Sequence, residues 1–236
     1  MLLQLYLFLI SYFLLGFILM FFINRNKEKS YRRKNWLKTV IYFIILNGLY
    51  LVIWFSPNHF YLISAVILVL GTGEIIRNFI LSKKVIVGIV ALVVLLLSAI
   101  PFLEYGQLDQ NHLLFCFFLV AVFDAFSQLT GQLIGKVKFL PVVSPNKTLE
   151  GVLGGLLSTL ITSVFIRNLI EVSFIQAIIL GLGISFFSLL GDLLASLCKR
   201  KFQIKDYSNL IPGHGGVLDR FDSLIAAGSF MAVIFH

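Results

Sequence analysis

The chain has 236 residues, 59% hydrophobic and only 13% charged, with a formal net charge of +8 and a mean hydropathy of +0.97. A soluble domain carries about 25% charged residues, so the composition excludes one and points to an all-α, polytopic integral membrane protein. The basic excess does not imply a nucleic-acid partner, because Lys and Arg sit in short segments between apolar runs, where they report topology instead.

A span needs about 20 apolar residues, and the chain offers about eight such stretches, over residues 2–23, 39–55, 60–80, 85–103, 113–134, 151–165, 174–197 and 215–235. Residues 1–23 have no basic segment before them and no small-residue cleavage site after them, so a retained span is expected rather than a signal peptide. The loop at 24–38 sets Arg25, Lys27, Lys29, Arg32, Arg33, Lys34 and Lys38 against Glu28 alone, which assigns it to the cytoplasmic side. The second span turns at Ser56-Pro57-Asn58-His59 and the third returns to Lys83 and Lys84. Near that inner end Glu74 and Arg77 stand three residues apart and are expected to form a local ion pair.

The fourth span leads to an outer loop with Glu104 and Asp109. His59 and His112 lie in or beside outer loops, away from any carboxylate cluster, and receive no assignment. Cys116 and Cys198 have no paired spacing, so neither a disulfide nor a zinc site is read from them, and both are expected as small buried hydrophobes.

Inside the fifth span Asp124 is followed by Ser127, Gln128, Thr130 and Gln132. Such a stripe is costly against lipid and should face other helices or a wet cavity. Hydrogen bonding between helices and a part in a functional site both remain open. Gly131 and Gly135, four residues apart, allow close helix packing. The basic loop that follows contains Ser144-Pro145-Asn146-Lys147-Thr148-Leu149-Glu150-Gly151, whose hydroxyl-then-acid order marks a helix start. Free N–H groups at such a start suit an anion.

Polar residues are densest at 191–223. Asp192, Asp219 and Asp222 supply carboxylates; Lys199, Arg200, Lys201, Lys205 and Arg220 supply cations; Pro212-Gly213-His214-Gly215-Gly216 supplies a turn. Charges at a span end often anchor it at the headgroups, and that reading serves Lys199, Arg200 and Lys201 taken alone. It does not serve the aspartates, since an ionisable group within a span costs a few kcal/mol and is by default functional. Carboxylates suit Mg²⁺ shared with substrate phosphates, and cations neutralise charge developing on phosphate oxygens. Asp219 and Asp222, three apart on a helix, look the same way. No Walker or Rossmann fingerprint is present.

Ser196, Lys199, Arg200, Lys205, Asp206, Ser208, Pro212, His214, Gly215, Gly216, Asp219, Arg220 and Asp222 follow the order and spacing of a long signature, and on it the chain resembles the phosphatidate cytidylyltransferases, or CDP-diacylglycerol synthases. Upstream, Asp124, Gly131, Gly135, Lys136, Ser144, Pro145, Lys147, Thr148, Glu150, Gly151 and Gly154 also match that family. The departures are Cys198 for a larger aliphatic residue, Ala195 for a glutamate, and Gln128 and Gln132 for an aromatic and a basic residue. The likeness covers the C-terminal half, from about Phe123 onward.

The resemblance implies Mg²⁺-dependent joining of CTP to phosphatidate or a related anionic lipid, giving a CDP-lipid and pyrophosphate at the cytoplasmic face of the cell membrane. It implies Asp192 and Asp219 as metal ligands, with Asp222 as ligand or supporting group and a monovalent cation such as K⁺ left open beside Mg²⁺. Lys199, Arg200 and Arg220 would hold phosphates. Ser144, Asn146, Lys147, Thr148, Lys205 and His214 would bind nucleotide or pyrophosphate oxygens, and Asp124, Lys136, Glu150, Ser196 and Asp206 complete the substrate-binding set. Residues 1–110 would be a framework with lipid access and 111–236 the catalytic part of one membrane-embedded unit. A homodimer is left open.

Two other activities fit similar residues. A CTP-dependent lipid kinase would use them on the γ-phosphorus. An ion-coupled transporter would spread its acids through the bilayer depth and carry repeated halves, whereas here the acids gather at one face and no repeat is evident.

Overall fold

A computed structural model describes residues 2–25, 28–213 and 215–236. Lys27, from the expected basic loop, and His214, from the expected nucleotide-binding set, lie outside the described residues. The order is α1 (Leu2–Asn24), α2 (Lys29–Phe55), α3 (Phe60–Ser82), α4 (Val85–Tyr105), α5 (Gln110–Ile134), β1 (Lys138–Leu140), β2 (Ser144–Thr148), α6 (Leu149–Phe165), α7 (Phe174–Phe202) and α8 (Leu218–Phe235). Short 3₁₀ turns at Pro57–His59 and Arg167–Leu169 connect helices at one end. The architecture is that of an all-α polytopic membrane protein, the arrangement in which each backbone N–H and C=O is satisfied within its own segment.

Six helices among the described residues are long and apolar enough to cross a bilayer: α1, α2, α3 with its preceding turn, α4, α5 and α7. The expected count of about eight spans also included α6 and α8. At 17 residues, α6 rises about 26 Å, a little short of the hydrocarbon thickness of about 30 Å. Helix α8 has 18 residues but carries Asp219, Arg220 and Asp222 in its first turns.

Helix bounds differ from the apolar runs mainly where charged residues continue a helix. Helix α2 begins ten residues before the expected second span, so Lys29, Arg32, Arg33 and Lys38 decorate its first turns instead of lying in a loop. Helix α7 runs on through Lys199, Arg200 and Lys201 to Phe202, and these cations occupy its last turn, where the helix dipole favours positive charge. The loop at 136–148 contains an antiparallel hairpin pairing Lys138 with Thr148 and Leu140 with Ser144, a feature absent from the sequence reading.

Helix α5 is the centre of the packing. Its residues from Leu113 to Val120, with Val122 and Phe123, are all buried, as expected of a helix that is apolar all round. The core spans both halves of the chain: Phe60, Phe102, Tyr105, Phe115, Ile184 and Ala227 belong to one buried cluster. Helix α6 packs tightly on α5. A Cβ at Gly135 would lie 2.6 Å from Thr148 Oγ1, and one at Gly131 3.0 Å from the same atom, so the expected close approach is present.

Several contacts join one end of the bundle. Lys84, between α3 and α4, donates from Nζ to the carbonyl of Lys201 at 2.7 Å. Arg200 Nε donates to the carbonyl of Val143, beside the hairpin, at 3.2 Å, and Gly213 sits against Leu37 and Lys38 of α2. The basic segments therefore share an end. At the opposite end Gln110 Nε2 donates to the carbonyls of Ile53 and Trp54, and the His112 and Phe235 rings lie 4.3 Å apart.

Candidate active site

The polar residues converge where the C-terminal ends of α5 and α7 meet the N-terminal end of α8 and the hairpin. Helix periodicity does much of this locally. Asp192, Ser196 and Lys199 occur four and then three residues apart on α7 and so share a face.

From that face Asp192 reaches in two directions. Its Oδ2 forms an ion pair with Lys147 of β2, and its Oδ1 accepts from Ser196 Oγ at 3.4 Å. Asp192 is also within electrostatic reach of Asp124 on α5 and Asp222 on α8, and Asp124 in turn feels Lys147 and Arg220. Ser223 links α8 to α5: its Oγ donates to Asp124 Oδ1 at 3.4 Å and its backbone N–H to Asp222 Oδ1 at 2.7 Å. Three carboxylates from α5, α7 and α8 thus gather beside Lys147 and Arg220.

Asp219 is placed differently. Lys199 Nζ donates to its Oδ1 at 2.7 Å, and Oδ2 accepts from the backbone N–H of Tyr207 at 2.7 Å and of Gly216 at 2.8 Å. Both side chains of the pair are buried, so each charge depends on the other. Lys199 also lies 5.6 Å from the centre of the Tyr207 ring, a favourable cation–π placement, and is within electrostatic reach of Asp222. Burial, then the nearby Cys198, Asp222 and Asp219, push the Tyr207 phenol far above its ordinary range. It stays protonated and donates to the carbonyl of Ala195 at 3.2 Å.

The remaining expected site residues spread around this centre. Thr148 is the N-cap of α6, accepting from Gly151 N–H at 3.1 Å, which is the expected helix start. Glu150 does not complete a capping box; it turns to the backbone N–H of Val137, at 3.1 and 3.2 Å, with Lys136 close enough to interact. Ser144 is half-buried and Asn146 exposed on β2, while Lys205 and Asp206 are exposed in the loop before α8. Arg200 leans toward the hairpin, and Arg220 is exposed beside Asp124. Gln128 and Gln132 are exposed, while Thr130 Oγ1 donates to Phe126 O and, at 3.4 Å, to Gly151 O. The polar stripe of α5 is therefore only partly turned to neighbouring helices.

One expected pair is not formed. Glu74 does not pair with Arg77, which is exposed. Its buried carboxylate accepts from Ser208 Oγ at 2.6 Å, Val217 N–H at 2.8 Å and Leu218 N–H at 2.9 Å. His112, left unassigned for want of a nearby carboxylate cluster, has the single carboxylate of Asp109 as its partner, with Nδ1 2.6 Å from Oδ2, since Asp109 caps α5 and the two sit one turn apart. Sequence reasoning also passed over Asn78, whose Nδ2 donates to the carbonyl of Tyr207 at 2.7 Å. The available signal for Glu74 and Asn78 was their four-residue spacing inside an apolar span, the same criterion that singled out Asp124.

The arrangement offers carboxylates able to share a cation with phosphate oxygens, and cations able to neutralise those oxygens, at one end of the bundle. Similar proteins carry names that fit it. The chain is 41% identical over 126 residues to the phosphatidate cytidylyltransferase of Staphylococcus aureus strain COL, covering 52% of this chain and 48% of that protein. It is 37% identical over 135 residues to the phosphatidate cytidylyltransferase of Bacillus subtilis strain 168, covering 55% and 50%. A third, from Staphylococcus saprophyticus, is 41% identical over 117 residues, covering 49% and 45%. The matched region thus spans about half the length of these curated relatives. The family described as the cytidylyltransferase family matches residues 1–236, and the chain belongs to that family.

Proposed function

We propose that this protein transfers a cytidylyl group from CTP to the phosphate of phosphatidate, releasing pyrophosphate. An oxygen of the lipid phosphate bonds to the α-phosphorus of CTP as the bond from that phosphorus to the β-phosphate bridging oxygen breaks. The nucleophile is already ionised near neutral pH, so positioning and charge neutralisation carry most of the acceleration.

The observation that carries this reading is the meeting of Asp124, Asp192 and Asp222 with Lys147, Lys199 and Arg220 from four separate elements. A site for lipid and triphosphate needs both signs of charge within one space, and a bundle end beside the headgroups supplies access to both substrates. The basic segments at that end support a cytoplasmic orientation, by the positive-inside bias.

The donor set suits Mg²⁺, which takes one or two carboxylates and completes its shell with water and substrate oxygens. Among the described residues no three His, Cys, Asp or Glu side chains converge as a ready-made metal cage, and a metal completed by phosphates needs none. Asp192 and Asp222 are the residues that would hold it, with Asp124 alongside; Asp219 joins them only if Lys199 gives up its bond. When bound, the metal supplies neutralisation of triphosphate charge. Lys147, ion-paired to Asp192, and Arg220, within electrostatic reach of Asp124 and Asp222, are then available for phosphate oxygens, and Arg200 beside the hairpin for the outer phosphates.

The test uses purified protein in mixed micelles of phosphatidate with CTP carrying distinguishable labels on its α- and γ-phosphates, with and without Mg²⁺. The reading expects the α-label in the lipid product, the γ-label in pyrophosphate and no reaction without the divalent cation. A γ-label in the lipid with release of CDP would replace it by a lipid kinase. No label transfer under any condition would end it.

A further inference from the structure

We propose that Glu74, on α3 and far in sequence from the acid cluster, is a positioning residue for the transfer reaction: its carboxylate fixes the first turn of α8 and the bearing of Asp219, Arg220 and Asp222. The proposal rests on the cytidylyl-transfer reading for its kinetic consequence. Its structural part is independent of that reading.

Helix α8 begins without a side-chain cap of its own, since Val217 stands at the N-cap position. The first N–H groups of a helix have no partner within it, and at this depth in the bundle water is a poor substitute. Glu74 meets the need from 143 residues away, with Oε1 on Val217 N–H and Oε2 on Leu218 N–H. Its negative charge also lies at the positive end of the α8 dipole.

The same carboxylate organises the approach to the helix. Oε1 accepts from Ser208 Oγ, and Gly216 seats directly on the carboxylate: an added Cβ there would overlap Glu74 Oε1. Gly216 N–H is in turn one of the two backbone donors to Asp219 Oδ2. Asn78, one turn further along α3, holds the carbonyl of Tyr207, whose N–H is the other donor. Two side chains of α3 thus grip the two backbone segments that orient Asp219, and through Asp219 the ammonium of Lys199.

An amide cannot reproduce this pattern. In Glu74→Gln one oxygen becomes an NH₂ group facing donors, so at least one of Val217 N–H, Leu218 N–H and Ser208 Oγ–H loses its acceptor. A residue that only stabilised the fold would reduce the yield and melting temperature of Glu74→Gln but leave turnover per folded molecule unchanged. A positioning residue lowers turnover in the molecules that are folded.

The experiment compares wild type, Glu74→Gln and Ser208→Ala in phosphatidate micelles, measuring kcat and KM for CTP per folded molecule together with amide hydrogen exchange over residues 215–222. The proposal expects kcat to fall at least tenfold in Glu74→Gln with KM for CTP within threefold of wild type, and exchange at Val217 and Leu218 to accelerate at least tenfold. Ser208→Ala, which removes one bond, should lose a few-fold in kcat. A kcat within twofold of wild type, or a loss of kcat with unchanged exchange at Val217 and Leu218, overturns it. If Glu74→Gln does not fold, Ser208→Ala decides: a loss of kcat of more than twofold with faster exchange at Val217 and Leu218 supports the proposal, and a kcat within twofold of wild type or unchanged exchange overturns it. Failure of wild type to transfer label would instead strike the cytidylyl-transfer reading, while the exchange result would still report on the Glu74 clamp.

Discussion

Lys199 and Asp219 form a buried ion pair of 2.7 Å that ties the last turns of α7 to the first turn of α8. Asp219 has a side chain 1% exposed and Lys199 one 10% exposed, so neither charge has water to fall back on. The pair fixes how close the two helices that carry the acidic and basic residues can stand.

Removing one partner leaves the other charge buried and alone, a loss of about 3–5 kcal/mol in comparable settings. Lys199→Met and Asp219→Asn are each expected to lower the melting temperature of the detergent-solubilised protein. The Lys199→Met, Asp219→Asn double variant should be less destabilised than the sum of the two, because the charge left uncompensated in each single variant is gone. Turnover should be absent in all three. Additive stability losses in this thermodynamic cycle would show that the pair is not coupled as the geometry requires.

The Lys147 and Asp192 pair, whose side chains are 21% and 28% exposed, should behave in the opposite way. Partly solvated pairs contribute at most about 1 kcal/mol to stability. Lys147→Met is therefore expected to melt within a few degrees of wild type but to lose at least tenfold in kcat/KM for CTP, because the cation nearest Asp192 has gone. Thermal melts and steady-state kinetics on one preparation check both halves. A full-activity Lys147→Met would remove this lysine from the phosphate-binding set.

Gly135→Ala tests the packing of α5 on the Thr148 cap. The new Cβ would overlap the carbonyl oxygen of Gly131 and sit 2.6 Å from Thr148 Oγ1 and 2.8 Å from its Cγ2, inside any relaxed contact, and would disturb both the last turn of α5 and the residue that caps α6. A loss of about 1–3 kcal/mol is expected, as for other overpacked sites. Gly131→Ala, whose nearest contact is 3.0 Å, should cost less. Melting temperatures of the two variants, ranked against wild type, decide the order.

Much of the architecture is legible without coordinates. The helix starts of α3, α4 and α7 coincide with the apolar runs, because in lipid a backbone has few alternatives to helix. Asp192, Ser196 and Lys199 were bound to share a face once α7 was a helix, and the hydroxyl-then-acid order within residues 144–151 marked the helix start at which Thr148 is the cap. The hairpin escaped because its strands are only three and five residues long, and pairing over so few residues leaves little trace in hydropathy. The extension of α2 and α7 through basic residues escaped for the related reason that a span reading ends at the charges, whereas a helix continues for as long as its hydrogen bonds do.

What the amino-acid order settled alone was the membrane character of the chain, the starts of several of its helices and which polar residues would have to be accounted for. Which residues answer to which was settled only by the packing of α3, α5, α7 and α8. Glu74 was matched on paper with Arg77, its neighbour in sequence, yet serves α8; Asp219 was grouped with the metal acids, yet has both oxygens taken by Lys199, Tyr207 and Gly216. The reason is physical: hydropathy and helical spacing are properties of one segment, but a buried carboxylate takes whatever donors the fold brings within 3 Å, and for Glu74 those arrive from more than a hundred residues away.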